Sequence, residues 1–542
     1  MKFLPKIPTS SGLAPTLQRP PKGKFFLADR TFDRTEWWET ARLRKLYFFC
    51  YVLVLAGVAN GFDGSMMNGL QALSYWQKYF NQPHGSILGL YNSAMSLGSI
   101  IGLPLVPPLV DRFGRKAGIV VSSLIIFLGV GIQTGARNFG MFLAARFLLG
   151  FGLIFAASAA PLLIAELSHP QDRSVMVTFM GCSYGIGSFI GSWVTFGTLK
   201  IESDWAWRLP SLLQCSCTVV VMIFIWWIPE SPRFYIERDQ SEKALQILAY
   251  YHANGNEDDE LVRLEYTEIR TALILEKQED KKSRYIDFLK TPGNRKRIFL
   301  VACLNLFGQW SGNGIVSYYL HIVMDMIGIK DDQDQLGINS GLASLSLTVT
   351  LCIAFFVDRL GRRSILLTST IGMLFSFVIW TIFSARYAQH PNDGMGRGVV
   401  VMIFIYNFFY NYRSGVMTNY MIEILPYRLR AKGLTLGAFV TLSAVFFNQY
   451  INSIALDNLH WRYYIFYDCF LLVELIVIYF FIVETRYVPL EEIAKYFDGD
   501  QADVATMTNA QVEKDIMEKG AATEIETSGQ MHTSSNLTKE TL

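Results

Sequence analysis

The chain has 542 residues, 51% of them hydrophobic and 14% aromatic but only 17% charged, with a mean hydropathy of +0.26. A soluble protein of this size carries about a quarter charged residues, so the composition argues against a water-soluble globular fold. A net charge of +2 gives no case for nucleic-acid binding. All seven cysteines lie in apolar stretches without metal-ligand spacing, and they read as packed thiols. No cofactor, no metal and no disulfide are expected.

In chain order, residues 1–45 are polar and contain several prolines. They read as a tail without a cleavable signal, which leaves the first apolar run to act as the targeting signal. Apolar runs of about 20 residues then recur, each long enough to cross a bilayer as a helix, because lipid offers backbone groups no other partner. Taken in order as helices 1–12, they are expected near 46–70, 86–110, 117–136, 139–165, 175–198 and 210–228. The second six are expected near 297–324, 337–357, 364–387, 398–421, 433–455 and 463–483. The expected class is an all-α membrane protein with twelve transmembrane helices in two six-helix repeats. One bundle covers 46–228 and the other 297–484, with a charged linker of amphipathic helices over 229–296 and a mostly disordered tail over 485–542.

Lysine and arginine gather in alternate loops: Arg112, Arg115 and Lys116, then Arg359, Arg362 and Arg363, then Arg428, Arg430 and Lys432. The positive-inside bias places these loops, the linker and both termini in the cytoplasm. The same loops carry a duplication. Asp111-Arg112-Phe113-Gly114-Arg115-Lys116 recurs as Asp358-Arg359-Leu360-Gly361-Arg362-Arg363, Glu166 with Arg173 recurs as Glu423 with Arg430, and Glu230-Ser231-Pro232-Arg233 recurs more weakly as Glu484-Thr485-Arg486. The copies lie roughly 250 residues apart, as expected of two parallel repeats. An Asp and Arg at one helix end, facing a Glu and Arg at another, can form a charge network that gates the cytoplasmic face. The alternative is ordinary positive-inside loops.

The motifs resemble the sugar porter family of the major facilitator superfamily. Arg146-Phe147-Leu148-Leu149-Gly150-Phe151-Gly152 is similar to its R-x-x-x-G-x-G in helix 4, and Pro229-Glu230-Ser231-Pro232-Arg233 matches its P-E-S-P-R. The fungal lactose permease and cellodextrin transporter branch is suggested by Gly61-Phe62-Asp63-Gly64-Ser65-Met66-Met67-Asn68-Gly69 and Gln309-Trp310-Ser311-Gly312-Asn313-Gly314. The resemblance implies alternating access with uptake of a hexose or disaccharide together with protons, in a multi-pass monomer of the plasma membrane. The alternatives are a non-transporting sugar sensor and a carrier of polyols or sugar acids. No phosphate-binding G-x-x-x-x-G-K-[ST] loop and no catalytic constellation occurs, so the chain reads as non-enzymatic.

Asp63 lies well inside helix 1, where a carboxylate costs several kcal/mol unless it is paired or neutralised. Arg146 is its candidate partner, and the resemblance implies that the two couple protons; the alternative is a static ion pair. Sugars call for amides, which donate and accept together, and for aromatic faces. Gln309, Asn313, Tyr318 and Tyr319 in helix 7 offer both, with Gln309 and Asn313 on one face at helical spacing. Asn448 in helix 11 and Asn339 at the start of helix 8 are further candidates, although a lone amide can equally bond between helices. Arg413 in helix 10 is a departure from the family pattern. Asp468 and Glu474 are its possible partners, or it faces an acidic sugar.

Overall fold

The structure, a computed structural model, describes residues 23–27, 30–282, 284–485, 493 and 496–498. Most of the expected disordered tail lies outside the described residues, and 493 and 496–498 belong to a separate C-terminal unit.

Helix 1 is Ala41–Ala72. It starts before its apolar run because Leu43, Leu46 and Tyr47 pack into a buried cluster with Leu163, Ile164 and Leu167. Helix 2, Gly85–Phe113, bends at a 3₁₀ turn, Leu103–Leu105, where Pro104, Pro107 and Pro108 withdraw backbone donors. Helices 3, 4 and 5 are Arg115–Thr134, Phe139–Leu167 and Arg173–Thr198. Helix 6 comes in two pieces, Trp205–Leu213 and Ser216–Phe224.

In the second bundle helix 7 is broken into Pro292–Trp310, Asn313–Tyr318 and Leu320–Met326. Its onset precedes the expected 297 because Pro292 occupies the first turn and Thr291 accepts from the Asn294 N–H at 3.3 Å. Helices 8 and 9 are Asp332–Leu360 and Arg362–Gln389. Helix 10 is split into Asp393–Tyr412 and Val416–Ile424, and helices 11 and 12 are Tyr427–Leu459 and Tyr464–Phe481. Among the described residues nine stretches are long and apolar enough to cross a membrane, one of which (Arg428–Phe481) holds both helices 11 and 12. Helices 7 and 10 are absent from that set; both are interrupted, at Gly312 and Gly415, each at positive φ.

The bundles meet through helix 2 against helix 11 and helix 5 against helix 8. Advancing each number by six turns the first contact into the second, as a twofold relation between repeats requires. One face of the molecule carries the basic loops and the linker, and is called here the basic face; the other is the far face. Linker helices Ser241–His252 and Glu260–Lys282 pack through Ala244, Leu248, Val262 and Leu273.

Part of the expected N-terminal tail is ordered. Lys24–Leu27 and Arg30–Asp33 form an antiparallel hairpin, tied down by Arg34 on Asp172 (2.5 Å) and by Gln171 on the Thr35 N–H (3.1 Å). Its partners lie beyond helix 4, too distant in sequence to be inferred from the tail. Burial pushes the neighbouring His169 ring down to about 3, so it stays neutral near pH 7.

Helices 2 and 4 approach closely because Gly150 has no side chain: a Cβ there would lie 1.8 Å from the Met95 carbonyl oxygen. Gly150→Val is therefore expected to destabilise the first bundle by at least about 3 kcal/mol. Detergent size-exclusion of a fluorescent fusion checks this: the monodisperse peak should be lost, whereas Gly131→Val, with nothing within 4 Å, should retain it.

Candidate functional site

Asp63 and Arg146 meet inside the first bundle. Arg146 Nη1 donates to both carboxylate oxygens at 2.6 and 2.7 Å, and both side chains are almost wholly buried. Helix 1 supplies the acid and helix 4 the base, so the pair joins two helices through opposite charges. Breaking one partner alone would leave a buried charge at a cost of about 3–5 kcal/mol. The second Arg146 nitrogen faces Met95 Sδ at 3.7 Å, a weak acceptor that leaves the carboxylate as its main counter-charge.

At the centre of the second bundle the helix 7 break separates Gln309 from Asn313. Gly312 between them adopts φ 100°, so the two amides belong to different helical pieces and the expected shared face at helical spacing does not exist. Gln309 is half-buried, and its amide makes no hydrogen bond among the described residues. Asn313 Oδ1 accepts from Ser317 at 2.9 Å and leaves its NH₂ available. Tyr318 is half-buried beside them.

Three other expected sugar contacts are engaged within the protein, Tyr319 and Asn448 through most of their polar groups and Asn339 through its oxygen alone. Tyr319 is fully buried and donates to the Gln449 carbonyl. Asn448 donates to the Gln309 carbonyl at 2.6 Å and accepts from Asn452 at 2.6 Å and Tyr467 at 3.1 Å. Its amide nitrogen lies 2.4 Å from where a Cβ on Gly314 would stand, so a side chain at 314 would collide with it. Asn339 accepts from Asn68 at 2.8 Å, across the two bundles. Asn68 was legible only as part of a motif; its donor role appears once helices 1, 7 and 8 are in place.

The charged motifs are duplicated in space as they are in sequence. Glu230 accepts from the Arg115 and Lys116 N–H groups at 3.2 and 3.1 Å, and Glu484 from those of Arg362 and Arg363 at 2.9 and 3.1 Å. Each carboxylate thus rests on a helix N-terminus, the favourable end of the dipole. The preceding Gly114 and Gly361 have φ 95° and 85°, and a Cβ on either would collide with that carboxylate, at 2.3 and 2.7 Å. Burial pushes the Glu230 carboxyl above its usual range, opposed by these backbone donors.

Arg115 pairs with Glu166 at 3.0 Å and Arg362 with Glu423 at 3.1 Å. Both pairs close within their own bundle, the former in the first and the latter in the second. Arg173 turns to the linker instead, pairing with Glu265 at 2.9 Å beside His252. Burial works against that carboxylate, yet His252 and Arg173 hold it below its usual range. Asp111 and Arg112 are exposed at the end of helix 2, and Arg430 donates to the Leu425 carbonyl at 3.4 Å. The side chains of Asp358 and Arg359 lie outside the described residues.

Hydrogen bonds between the bundles cluster toward the far face among the described residues. Besides Asn68 with Asn339, they include Ser74 with Asp332 (2.7 Å), Ser96 with Gln449 (2.5 Å) and Trp193 with Ser344 (3.1 Å). These bonds tie the two bundles together on the far face.

Comparison with known proteins agrees with this geometry. The family described as "Sugar (and other) transporter" matches residues 49–497. The chain belongs to that family. A high-affinity glucose transporter of Kluyveromyces lactis is 26% identical over 495 residues, covering 87% of this chain and 88% of that one. High-affinity glucose transporter 1 of Candida albicans is 25% identical over 481 residues, covering 84% and 86%. The inward-open xylose transporter XylE of E. coli superimposes with a TM-score of 0.68 at 21% identity, covering 83% of this chain and 99% of that one. The fold is that of the major facilitator superfamily, and the chain is a multi-pass sugar transporter, not an enzyme.

Proposed function

We propose that this transporter takes up a neutral monosaccharide of hexose or pentose size together with a proton, by alternating access. The basic face is cytoplasmic, the membrane is the plasma membrane, and the structure represents a state open toward the cytoplasm. The observation that carries the coupling is the buried Asp63–Arg146 pair, whose carboxylate loses its counter-charge attraction whenever it takes a proton. Gln309 and Asn313, at a helix break and with free amide valences, are the sugar contacts, with Tyr318 as the aromatic neighbour. Relatives named for glucose and xylose favour a single ring over the lactose- or cellobiose-like cargo suggested by the motif resemblance. A sugar acid loses its motive, because Arg413 is buried against Glu474.

Uptake of labelled D-glucose and D-xylose by a host lacking its own sugar transporters tests this, with unlabelled lactose and cellobiose as competitors and external pH recorded. The expected result is saturable monosaccharide uptake, weak competition by disaccharides, and external alkalinisation on sugar addition. Uptake without any pH change would remove the proton from the reading, and tight competition by cellobiose would restore the disaccharide.

A further inference from the structure

Breaking a helix inside a bilayer strands the carbonyls around its last turn, and each must find a donor in the protein. Around the helix 7 break the donors come from two neighbouring helices. Tyr410 donates to the Gly308 carbonyl at 2.8 Å, Tyr406 to the Ser311 carbonyl at 2.9 Å, and Asn448 to the Gln309 carbonyl at 2.6 Å. Arg413 donates to the Phe307 carbonyl at 3.1 Å and to Ser311 Oγ at 2.6 Å through one nitrogen, while the other binds Glu474 of helix 12. Arg413 is 3% exposed and Glu474 0%. Arg413 also terminates the first piece of helix 10, two residues before Gly415 at φ 75°. One guanidinium therefore joins the two broken helices of this bundle at their breaks and anchors both to helix 12.

We propose that Arg413, held by Glu474, is a positioning residue for the sugar site: it fixes the edge of the helix 7 break and so sets the direction of the Gln309 and Asn313 amides. This rests on the reading of those amides as sugar contacts. A planar fork serves Glu474 from one nitrogen and Phe307 and Ser311 from another in fixed directions, whereas an ammonium presents all its donors from a single point.

Arg413→Lys keeps the charge opposite Glu474 but loses the fork, and the Arg413→Gln/Glu474→Gln double variant removes both charges together. Two readouts are taken on each in detergent or proteoliposomes: hydrogen–deuterium exchange over residues 307–313, which needs no substrate, and initial rates of D-glucose uptake. The expected result is exchange accelerated about tenfold and KM raised about tenfold, with Vmax per folded molecule nearly unchanged. A folded Arg413→Lys protein with wild-type exchange, or with faster exchange but wild-type KM, overturns the proposal; if one variant does not fold, the other decides. Gln309→Ala separates the two readings. If it leaves KM and glucose competition untouched, the sugar-contact assignment fails, whereas if it raises KM while Arg413→Lys does not, the positioning role fails.

Discussion

Asp63→Asn is expected to reduce uphill sugar accumulation to equilibration while the transporter stays folded and still exchanges sugar across the membrane. The asparagine is nearly isosteric with the protonated acid and still offers one oxygen to Arg146, whose Nη1 now binds both carboxylate oxygens at 2.6 and 2.7 Å. What disappears is the ability to alternate between charged and neutral forms. With one proton per sugar, each unit of pH difference can support about tenfold accumulation, and the variant should support none. Concentrative uptake, counterflow and their dependence on external pH, measured in proteoliposomes, give the answer. An Asp63→Asn protein that still concentrates sugar in response to a pH gradient would sink the coupling role of the pair. Arg146→Gln is expected to be worse, because it leaves the acid buried without a counter-charge (about 3–5 kcal/mol if ionised) and should lower the amount of folded protein as well.

Asp63 and Arg146 could be paired from sequence because charges inside apolar helices must find each other, and few are available. The duplicated loops were equally legible: Gly114 and Gly361 occupy matching places for a steric reason, the carboxylates of Glu230 and Glu484 packed against them. For Arg413 the same logic narrowed the partner to Asp468 or Glu474, and packing selected Glu474. The helix breaks were not legible. Glycines such as Gly312 and Gly415 are common in spanning helices, and nothing local distinguishes a tolerated glycine from one at positive φ. Once the break in helix 7 is missed, its stranded carbonyls are missed too, and Asn448 looks available for sugar when it is already committed to the Gln309 carbonyl. The same error put Gln309 and Asn313 on one face. The N-terminal hairpin escaped notice because its ordering comes from Asp172 and Gln171, not from its own composition.

Asn68→Leu is expected to shift the transporter toward its state open on the far side, the extracellular one in the orientation proposed above. Asn68 is buried near the end of helix 1, and its one amide serves both other helices of the closure. Its Nδ2 donates to Asn339 Oδ1 at 2.8 Å and to the Val316 carbonyl at 3.3 Å, while its Oδ1 faces the Leu320 N–H at 3.4 Å. Leucine fills similar volume but satisfies none of these groups. Each buried polar group left without a partner costs about 1–3 kcal/mol, and that cost falls only on the conformation in which the bundles touch here. Since about 1.4 kcal/mol changes a population ratio tenfold, the outward-open fraction should rise by at least that factor. In a cysteine-free background carrying Tyr318→Cys, labelling by a membrane-impermeant thiol reagent from outside should accelerate about tenfold with Asn68→Leu. Asp332→Asn weakens the exposed contact with Ser74 and should act in the same direction by much less, since solvent replaces what it loses. Equal labelling rates with and without Asn68 would mean that the outer closure is held by the helix 2–11 and 5–8 packing alone, with the amide incidental to it.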